Sequence, residues 1–221
     1  MQSFGKKHKY SHIIWDWNGT LLDDAEWCLE VINRQLKTHG LTPLSGIDEY
    51  RKVFCFPIIK YYENIGFNFS EKPFEELAED FNDLYRADNT GNCGLHQNTM
   101  DVLSAIRREG MAQVILSASE RSFLMSQIGV FGITDVFEEI LGISDIYAAS
   151  KVDIGLDYIQ RTDINSAVLI GDTTHDCDVA KALGVDCILI PNGHQSRETL
   201  LMCGVTVLDG IIDVLDYLSL V

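Results

Sequence analysis

The sequence lacks the features of a membrane, secreted or zinc-binding protein. It contains no apolar run of the ~20 residues that cross a bilayer. Its lysine-rich residues 1–9 have no apolar core typical of a signal peptide. The six cysteines are widely scattered, with no CxxC pair and no Cys/His spacing typical of zinc ligands. We therefore predict a soluble, cytoplasmic protein without a structural metal.

Basic residues are also scarce. Lysine and arginine number 17 against 33 aspartates and glutamates, and the formal net charge is −16 at pH 7. Such a balance argues against nucleic acid or an anionic membrane surface as a partner. An anionic substrate would need local basic side chains, backbone N–H groups or a bound cation.

Two patterns divide the chain. An apolar strand at residues 13–15 leads to an aspartate and a Gly-Thr turn, and from residue 100 short apolar segments alternate with helical ones. This alternation is typical of a parallel sheet covered on both faces. Residues 23–94 instead carry mainly amphipathic helices bounded by loops. We predict an α/β core domain of residues 1–22 and 95–221, with an inserted α-helical cap domain of residues 23–94.

Polar residues follow the predicted strands at the edge where ligands of open parallel sheets bind. Each alone is explained by helix capping, solvent exposure or turn formation. Their joint placement at strand ends and helix starts favours one common site. The residues are Asp16, Ser117, Lys151, Asp172 and Asp176.

This set of residue types suits phosphoryl transfer. A carboxylate can attack phosphorus and form an acyl phosphate, so we predict that Asp16 is the nucleophile. The negative phosphoryl oxygens need neutralisation by cations and hydrogen-bond donors, and Lys151 and the Ser117 hydroxyl are the candidates. The predicted phosphate-binding set is completed by Gly19, Thr20 and Ala118.

The acidic residues also suit a magnesium ion. Mg²⁺ prefers oxygen ligands and is usually held by one or two carboxylates together with water and phosphate. We predict Asp16 and Asp172 as direct ligands and the carbonyl of Asn18 as a third. Asp176, four residues after Asp172, would complete or orient this set.

Four segments occur in the order found in one known family: residues 16–20 (Asp-Trp-Asn-Gly-Thr), Ser117, Lys151, and residues 171–176 (Gly-Asp-Thr-Thr-His-Asp). Together they resemble the motifs of haloacid dehalogenase (HAD) superfamily hydrolases, close to the branch of phosphoglycolate phosphatase and β-phosphoglucomutase. Residues 178–185 and 191–194 extend the resemblance. It implies a Rossmann-like core, a mobile helical cap, Mg²⁺ dependence, an aspartyl-phosphate intermediate and a small phosphorylated metabolite as substrate.

One position departs from this family. Its phosphatases usually carry a second aspartate two residues after the nucleophile, as general acid and then general base, whereas this chain has Asn18. An amide cannot transfer a proton at neutral pH, and the loss of such a group typically costs about 10²–10⁴-fold in rate. The departure predicts slow turnover, substrates with good leaving groups, or replacement chemistry. It also predicts that Asn18→Asp raises phosphatase turnover.

Two alternatives remain open at this point. Phosphonoacetaldehyde hydrolases of the superfamily also lack the second aspartate and use a cap lysine, for which Lys52 and Lys60 are the candidates. A non-catalytic protein that binds a phosphate ligand is the other alternative, with Asn18 as the only feature in its favour. Dehalogenases work without Mg²⁺, so Asp172 and Asp176 argue against them. His175, beside these acids, is a further candidate proton donor.

Overall fold

A computed structural model of the chain describes residues 8–87, 92–143, 150–162, 164 and 166–220. Its centre is a six-stranded sheet with the order β5-β4-β1-β6-β7-β8, in which every neighbouring pair is parallel. The strands are β1 His12–Trp15, β4 Ala112–Glu120, β5 Glu139–Ile143, β6 Ala167–Gly171, β7 Asp186–Leu189 and β8 Thr206–Val207. The short strands β2 (Leu22–Asp23) and β3 (Gly94–Leu95) form an antiparallel pair.

The first strand occupies the middle of the sheet. Ile13, Ile14 and Trp15 are at most 1% exposed, because neighbours cover both faces of β1. Ile13 and Trp15 belong to one hydrophobic cluster and Ile14 to another, as the alternation of side chains along a strand requires. The buried residues 13–15 of β1 are therefore all apolar. The predicted Rossmann-like parallel core is confirmed.

Ten α-helices complete the described part of the chain. The helices are α1 Ala25–Thr38, α2 Ile47–Val53, α3 Ile58–Asn64, α4 Phe74–Ala87, α5 Thr99–Arg108, α6 Arg121–Val130, α7 Lys151–Thr162, α8 Thr174–Leu183, α9 Arg197–Leu201 and α10 Asp213–Tyr217. Buried residues of α5, α6 and α10 pack on one face of the sheet, and those of α7 and α8 on the other. None of these helices combines the length and the apolar character needed to cross a membrane.

Helices α1 to α4 have a hydrophobic cluster of their own. The antiparallel pair of β2 and β3 lies at the two points where the chain passes between this helical block and the sheet. Both features support the proposed division into a core of residues 1–22 and 95–221 and a cap of residues 23–94. Residues 1–7 and 88–91, which the division includes, lie outside the described residues.

Strand β4 extends beyond its apolar residues 114–116. It continues to Glu120, and its register with β5 shifts between Leu116 and Glu120. Irregularities of this kind are common beside active sites, where they re-aim side chains. Here the shift falls on the polar residues 117–119, which follow the apolar part of the strand.

Candidate active site

The turn after β1 is built around the nucleophile candidate. The Asp16 N–H still bonds the Ile170 carbonyl of β6 at 2.9 Å, and the chain then turns as the Leu21 and Leu22 N–H groups bond the Trp17 carbonyl. Gly19 takes a φ of +74°, a conformation that glycine adopts without steric cost. The carboxylate of Asp16 is thereby fixed at the end of the central strand.

Lys151 joins two of the three predicted acids. Its Nζ donates to Asp16 Oδ1 at 2.5 Å and to Asp176 Oδ1 at 2.6 Å, and its side chain is 3% exposed. The second oxygen of Asp176 accepts hydrogen bonds from the backbone and hydroxyl of Thr173 in a capping box at the start of α8. The capping box at the start of α8 therefore positions Asp176, Asp176 positions Lys151, and Lys151 positions Asp16.

Asp172 is held from both sides. Its Oδ1 accepts from the Thr20 hydroxyl at 2.8 Å, and its Oδ2 accepts from the backbone N–H of His194 at 2.7 Å. Carboxylate oxygens of Asp16, Asp172 and Asp176 lie within 4.8 Å of one another, and all three residues are buried. A buried set of three carboxylates with one ammonium group fits a hard divalent cation, which prefers oxygen ligands.

The electrostatics of the cluster point to the same need for positive charge. Burial, together with the charge of Asp176, raises the pKa of Asp16 to about 8 despite the nearby ammonium of Lys151. Burial also raises the pKa of Asp172. Burial alone would lower the pKa of Lys151, but Asp16 and Asp176 raise it above its ordinary value. One protonated amine thus leaves the three carboxylates undercompensated, and a bound cation would restore the balance.

Glycines allow the backbone to approach these acids closely. A Cβ at Gly19 would lie 2.4 Å from Asp172 Oδ2, and one at Gly193 would lie 2.1 Å from the same atom. A Cβ at Gly171 would lie 2.3 Å from Asp176 Cγ. Only glycine fits at these three positions without moving a carboxylate.

A cavity of about 320 Å³ opens over this cluster, and we call it the reaction cavity. Asp16, Ser117, Ala118, Lys151 and Asp176 line it. The hydroxyl of Ser117 accepts from the Ser119 N–H at 3.1 Å. The structure therefore brings together the predicted nucleophile, the lysine and the residues at the end of β4.

Two of the predicted phosphate-binding residues are engaged elsewhere. The Gly19 N–H donates to Asp24 Oδ1 at 2.8 Å, and the Thr20 hydroxyl donates to Asp172. Both donors face carboxylates in this arrangement, because the tight turn after β1 brings them to these acids. Their contacts order the acids around the site, and phosphate binding by these two residues stays a prediction.

Asn18 is fixed by a polar network. Its amide N–H groups donate to Asp24 Oδ2 at 2.7 Å and to the Tyr85 hydroxyl at 3.0 Å. Its carbonyl oxygen accepts from the Ser119 hydroxyl at 2.8 Å. All three contacts suit an amide, which both donates and accepts.

Sequence reasoning missed Asp24, the centre of this network. The residue stands directly before α1, where an aspartate usually caps a helix, but its side chain makes no capping bond. It accepts instead from Asn18, Gly19 and Tyr85, and its Oδ1 lies 3.4 Å from His194 Nε2. Burial alone would raise the pKa of Asp24, but His194 and these donors lower it, so the carboxyl stays ionised. One sequence signal was available. Asn18 stands where the family usually has an aspartate, and Asp24 is an acid six residues further along the chain.

His194 and two cap residues join the cap helices to the core. His194 Nδ1 lies 2.9 Å from the Tyr50 hydroxyl, and its ring stacks on Phe54. The Arg51 guanidinium donates to the carbonyls of residues 192 and 193. Although burial alone would lower it, Asp24 raises the pKa of His194 to about 9. These contacts hold the cap helix α2 over the reaction cavity.

The candidate cap lysines lie away from the site. Lys52 and Lys60 are exposed, Lys60 Nζ bonds Glu63 at 2.6 Å, and neither lines the reaction cavity. His175 does line it, with its ring stacked on Phe56. Burial lowers the pKa of His175, so it is neutral near pH 7 and unsuited to be a general acid.

Comparison with known proteins agrees with this arrangement. A family model described as haloacid dehalogenase-like hydrolase matches residues 13–190. The phosphoglycolate phosphatase of Rhodobacter capsulatus is 24% identical over 189 residues, which cover 83% of this chain and 85% of that protein.

Two solved structures share the fold. A haloacid dehalogenase-like hydrolase from Streptococcus pneumoniae aligns with a TM-score of 0.82 at 20% identity, over 95% of this chain and 98% of the other. Protein Tyrosine Kinase A from Mycobacterium tuberculosis aligns with a TM-score of 0.81 at 22% identity, over 96% and 99%.

The close approach at Gly19 gives a first prediction. Gly19→Ala should lower hydrolysis of an aryl phosphate by about 100-fold, because the new methyl group must displace Asp172 and small displacements in a site are costly. Gly40→Ala is the matched control, since Gly40 has a φ of +67° and nothing within 4 Å of its missing Cβ. Both variants should lose stability in thermal unfolding because of their positive φ, and Gly19→Ala should lose more because its methyl group also meets Asp172. Equal activity of the two would contradict the role given to Gly19.

The Asn18 network gives a second prediction, which changes the one made from sequence. Asn18→Asp alone places a second carboxylate against Asp24, so one of the two must take up a proton or the pair repels. We expect a lower melting temperature and no gain in kcat. The double variant Asn18→Asp/Asp24→Asn returns the acid to position 18 and should raise kcat by about 10²–10⁴-fold.

Asp24→Asn alone distinguishes the effect of losing the acid at position 24 from the effect of gaining one at position 18. It should leave kcat no higher than in the unchanged protein, because no acid is then present beside the leaving group. A single Asn18→Asp variant as fast as the double variant would contradict the predicted repulsion. Steady-state kinetics on one aryl phosphate measure all four proteins.

Proposed function

The chain belongs to the haloacid dehalogenase-like hydrolases, and we propose that it is a Mg²⁺-dependent phosphatase of small phosphorylated metabolites. In this proposal the reaction passes through an aspartyl phosphate on Asp16. The observation that carries it is the buried contact of Asp16 with Lys151 at the end of the central strand. Asp172 and Asp176 lie beside that pair. The family and its phosphatase-named relatives already indicate a phosphoric monoester hydrolase.

Asp16 is positioned for attack by its own contacts. Lys151 bonds Oδ1, which leaves Oδ2 as the attacking oxygen. The ammonium group also offers charge to a phosphoryl group in the reaction cavity, where oxygens carrying negative charge need donors. The hydroxyl of Ser117 and the backbone beside Ala118 are the further donors of the proposal.

The acidic set fits the divalent cation that the family implies. Asp16, Asp172 and the backbone carbonyl of Asn18 would hold it, and Asp176, which accepts from the Lys151 ammonium, would complete or orient this set. When bound, Mg²⁺ supplies positive charge that lowers the pKa of Asp16 and screens its repulsion from the phosphate. The undercompensated carboxylates described above are what support this proposal.

Neither alternative gains support from the geometry. Lys52 and Lys60 are exposed and lie outside the lining of the reaction cavity, so a mechanism in which a cap lysine forms a Schiff base lacks its amine there. A pure binding protein would not need a buried carboxylate held by a buried amine. The kinase named among the structural neighbours does not suggest a nucleotide-dependent reaction here, because the sequence has neither a GxGxxG nor a GxxxxGK[ST] motif.

Asp16→Asn tests the nucleophile. The variant should lose turnover of phenyl phosphate to below detection, since an amide cannot form the acyl phosphate. Asp178→Asn is the control, because Asp178 lies on α8 with a side chain 73% exposed, where it lies 3.6 Å from Lys181 Nζ. The control should keep activity within about twofold, as is usual for surface changes. Multiple turnovers by Asp16→Asn would exclude Asp16 as nucleophile.

Removal of the metal gives a further prediction. Treatment with EDTA should abolish phosphate release, and added Mg²⁺ should restore it. Asp172→Asn should raise the Mg²⁺ concentration needed for half-maximal rate by about 10- to 100-fold, the usual effect of weakening a metal site. Full activity in EDTA would contradict the Mg²⁺ proposal.

A further inference from the structure

A second cavity adjoins the reaction cavity, on the side of the cap helices. Its volume is about 390 Å³, within the range of small-molecule sites. Seven phenylalanine and tyrosine side chains line it, and we call it the aromatic cavity. They are Tyr50, Phe54, Tyr61, Tyr62, Phe74, Phe81 and Tyr85.

The two cavities share a boundary. Asn18, Phe54, Tyr85, Ser119 and His194 line both of them. A phosphoryl group next to Asp16 would therefore place the rest of its ester against this boundary, and the aromatic cavity is the space beyond it. On the proposed function, this space takes the leaving group.

The aromatic cavity is poor in positive charge. Among the described residues, no lysine or arginine lines it, and its one acidic residue, Asp24, lies 3.4 Å from His194 Nε2. Arg86 lines the neighbouring reaction cavity, where it lies 3.7 Å from Glu120. A carboxylate in the aromatic cavity would lose its hydration and meet Asp24 without a free cation.

One polar group in the wall has no partner. The hydroxyl of Tyr61 is buried without a hydrogen-bond partner, and the residue is 3% exposed. A buried hydroxyl without a partner is costly. The neighbouring Tyr62 differs, because its hydroxyl donates to Gln35 Oε1 at 3.2 Å. Because Tyr61 lines the aromatic cavity, a polar group of a ligand that reaches this hydroxyl would supply the missing partner.

We propose that the substrate is a small phosphoric monoester with an uncharged aromatic leaving group, and that Tyr61 binds a polar substituent on its ring. This proposal rests on the proposed function and names its substrate class. It departs from phosphoglycolate, the substrate named in the curated relatives, whose carboxylate the aromatic cavity does not suit.

The fixed amide of Asn18 agrees with this class when the ring oxygen itself bears the phosphate. Asp16 Oδ2 bonds to phosphorus, and the bond to the aryl oxygen breaks with its electron pair on that oxygen. A phenol has a pKa near 10, so the phenoxide leaves without a proton donor. Water then attacks phosphorus and frees Asp16, and its proton passes through solvent to the phenoxide. The sum is ester plus water giving phenol plus inorganic phosphate.

A choice of esters distinguishes the effect of the aromatic cavity on kcat/KM from the effect of leaving-group acidity. Benzyl phosphate and 2-phosphoglycolate both release primary alkoxides, so their ratio of kcat/KM reports the cavity. We expect benzyl phosphate to be favoured by about 50-fold, the factor for burying a phenyl-sized group. Phenyl phosphate should be faster still. A phosphotyrosyl peptide, whose chain the cavity does not enclose, should be slower than phenyl phosphate by about 10-fold or more.

Two tyrosine variants test the hydroxyl. Tyr61→Phe should lower kcat/KM about 10-fold more on 3-hydroxybenzyl phosphate than on benzyl phosphate, without a loss of melting temperature. Tyr62→Phe is the matched control, because it removes a partnered hydroxyl from the same wall. It should lower the melting temperature without changing the preference between these esters. Equal effects of both variants on that preference would overturn the role of Tyr61.

A charge variant tests the polarity of the cavity. Asn82 is exposed and lines both cavities, so Asn82→Arg adds a cation with little risk to folding. It should raise kcat/KM on 2-phosphoglycolate and reduce the benzyl-to-glycolate ratio by about 10-fold. An unchanged ratio would count against the charge argument.

Binding distinguishes failure of this proposal from failure of the proposed function. Benzylphosphonate and phosphonoacetate are not hydrolysed, and calorimetry with Mg²⁺ present gives their affinities directly. Tighter binding of benzylphosphonate supports the proposal even in a protein that turns over no ester. Equal or faster turnover of 2-phosphoglycolate than of benzyl phosphate, or tighter binding of phosphonoacetate, would overturn the substrate class and leave the phosphatase intact.

Discussion

The contact of Lys151 with Asp16 and Asp176 governs the arrangement of the whole site. One buried ammonium group lies between two carboxylates at 2.5 and 2.6 Å, with Asp172 close by. Removal of Lys151 would leave these buried carboxylates without their ammonium partner, which is strongly destabilising. The parallel sheet makes the contact possible, because β1 lies between β4 and β6. Residues that are far apart in sequence therefore meet at the ends of neighbouring strands.

The cap side of the site has a separate polar centre. Asp24 accepts from Asn18, Gly19 and Tyr85 and lies next to His194. The family's usual acid at position 18 is absent from this chain, and the carboxylate of Asp24 lies beside Asn18 instead. An asparagine at 18 then follows from electrostatics, because a second carboxylate 2.7 Å away would be repelled. The same network leaves the leaving group without a proton donor at Asn18, which favours esters whose oxygen departs unprotonated, as a phenoxide does.

The sequence alone predicts the acidic and phosphate-facing side of the site better than the cap side. Asp16, Ser117 and Asp172 follow apolar strands, and the geometry of parallel sheets brings such ends together. Asp24 escapes this reasoning, because its position before α1 predicts a helix cap. Tyr61 and His194 escape it because their roles depend on how the cap packs against the core. The hydrogen bonds of the Gly19 N–H and the Thr20 hydroxyl to carboxylates also depend on the folded turn after β1.

The central claim is that Asp16 carries the phosphoryl group during turnover. Without a general base at position 18, hydrolysis of the acyl phosphate is slow, so the phosphorylated protein should accumulate. The most direct measurement mixes the Mg²⁺-loaded protein with phenyl phosphate, quenches in acid, and locates the added phosphoryl group by peptide mass spectrometry. The account predicts one phosphoryl group per chain, on the peptide that contains Asp16. Many turnovers with no phosphoryl group on that peptide, or with one on another residue, would contradict it.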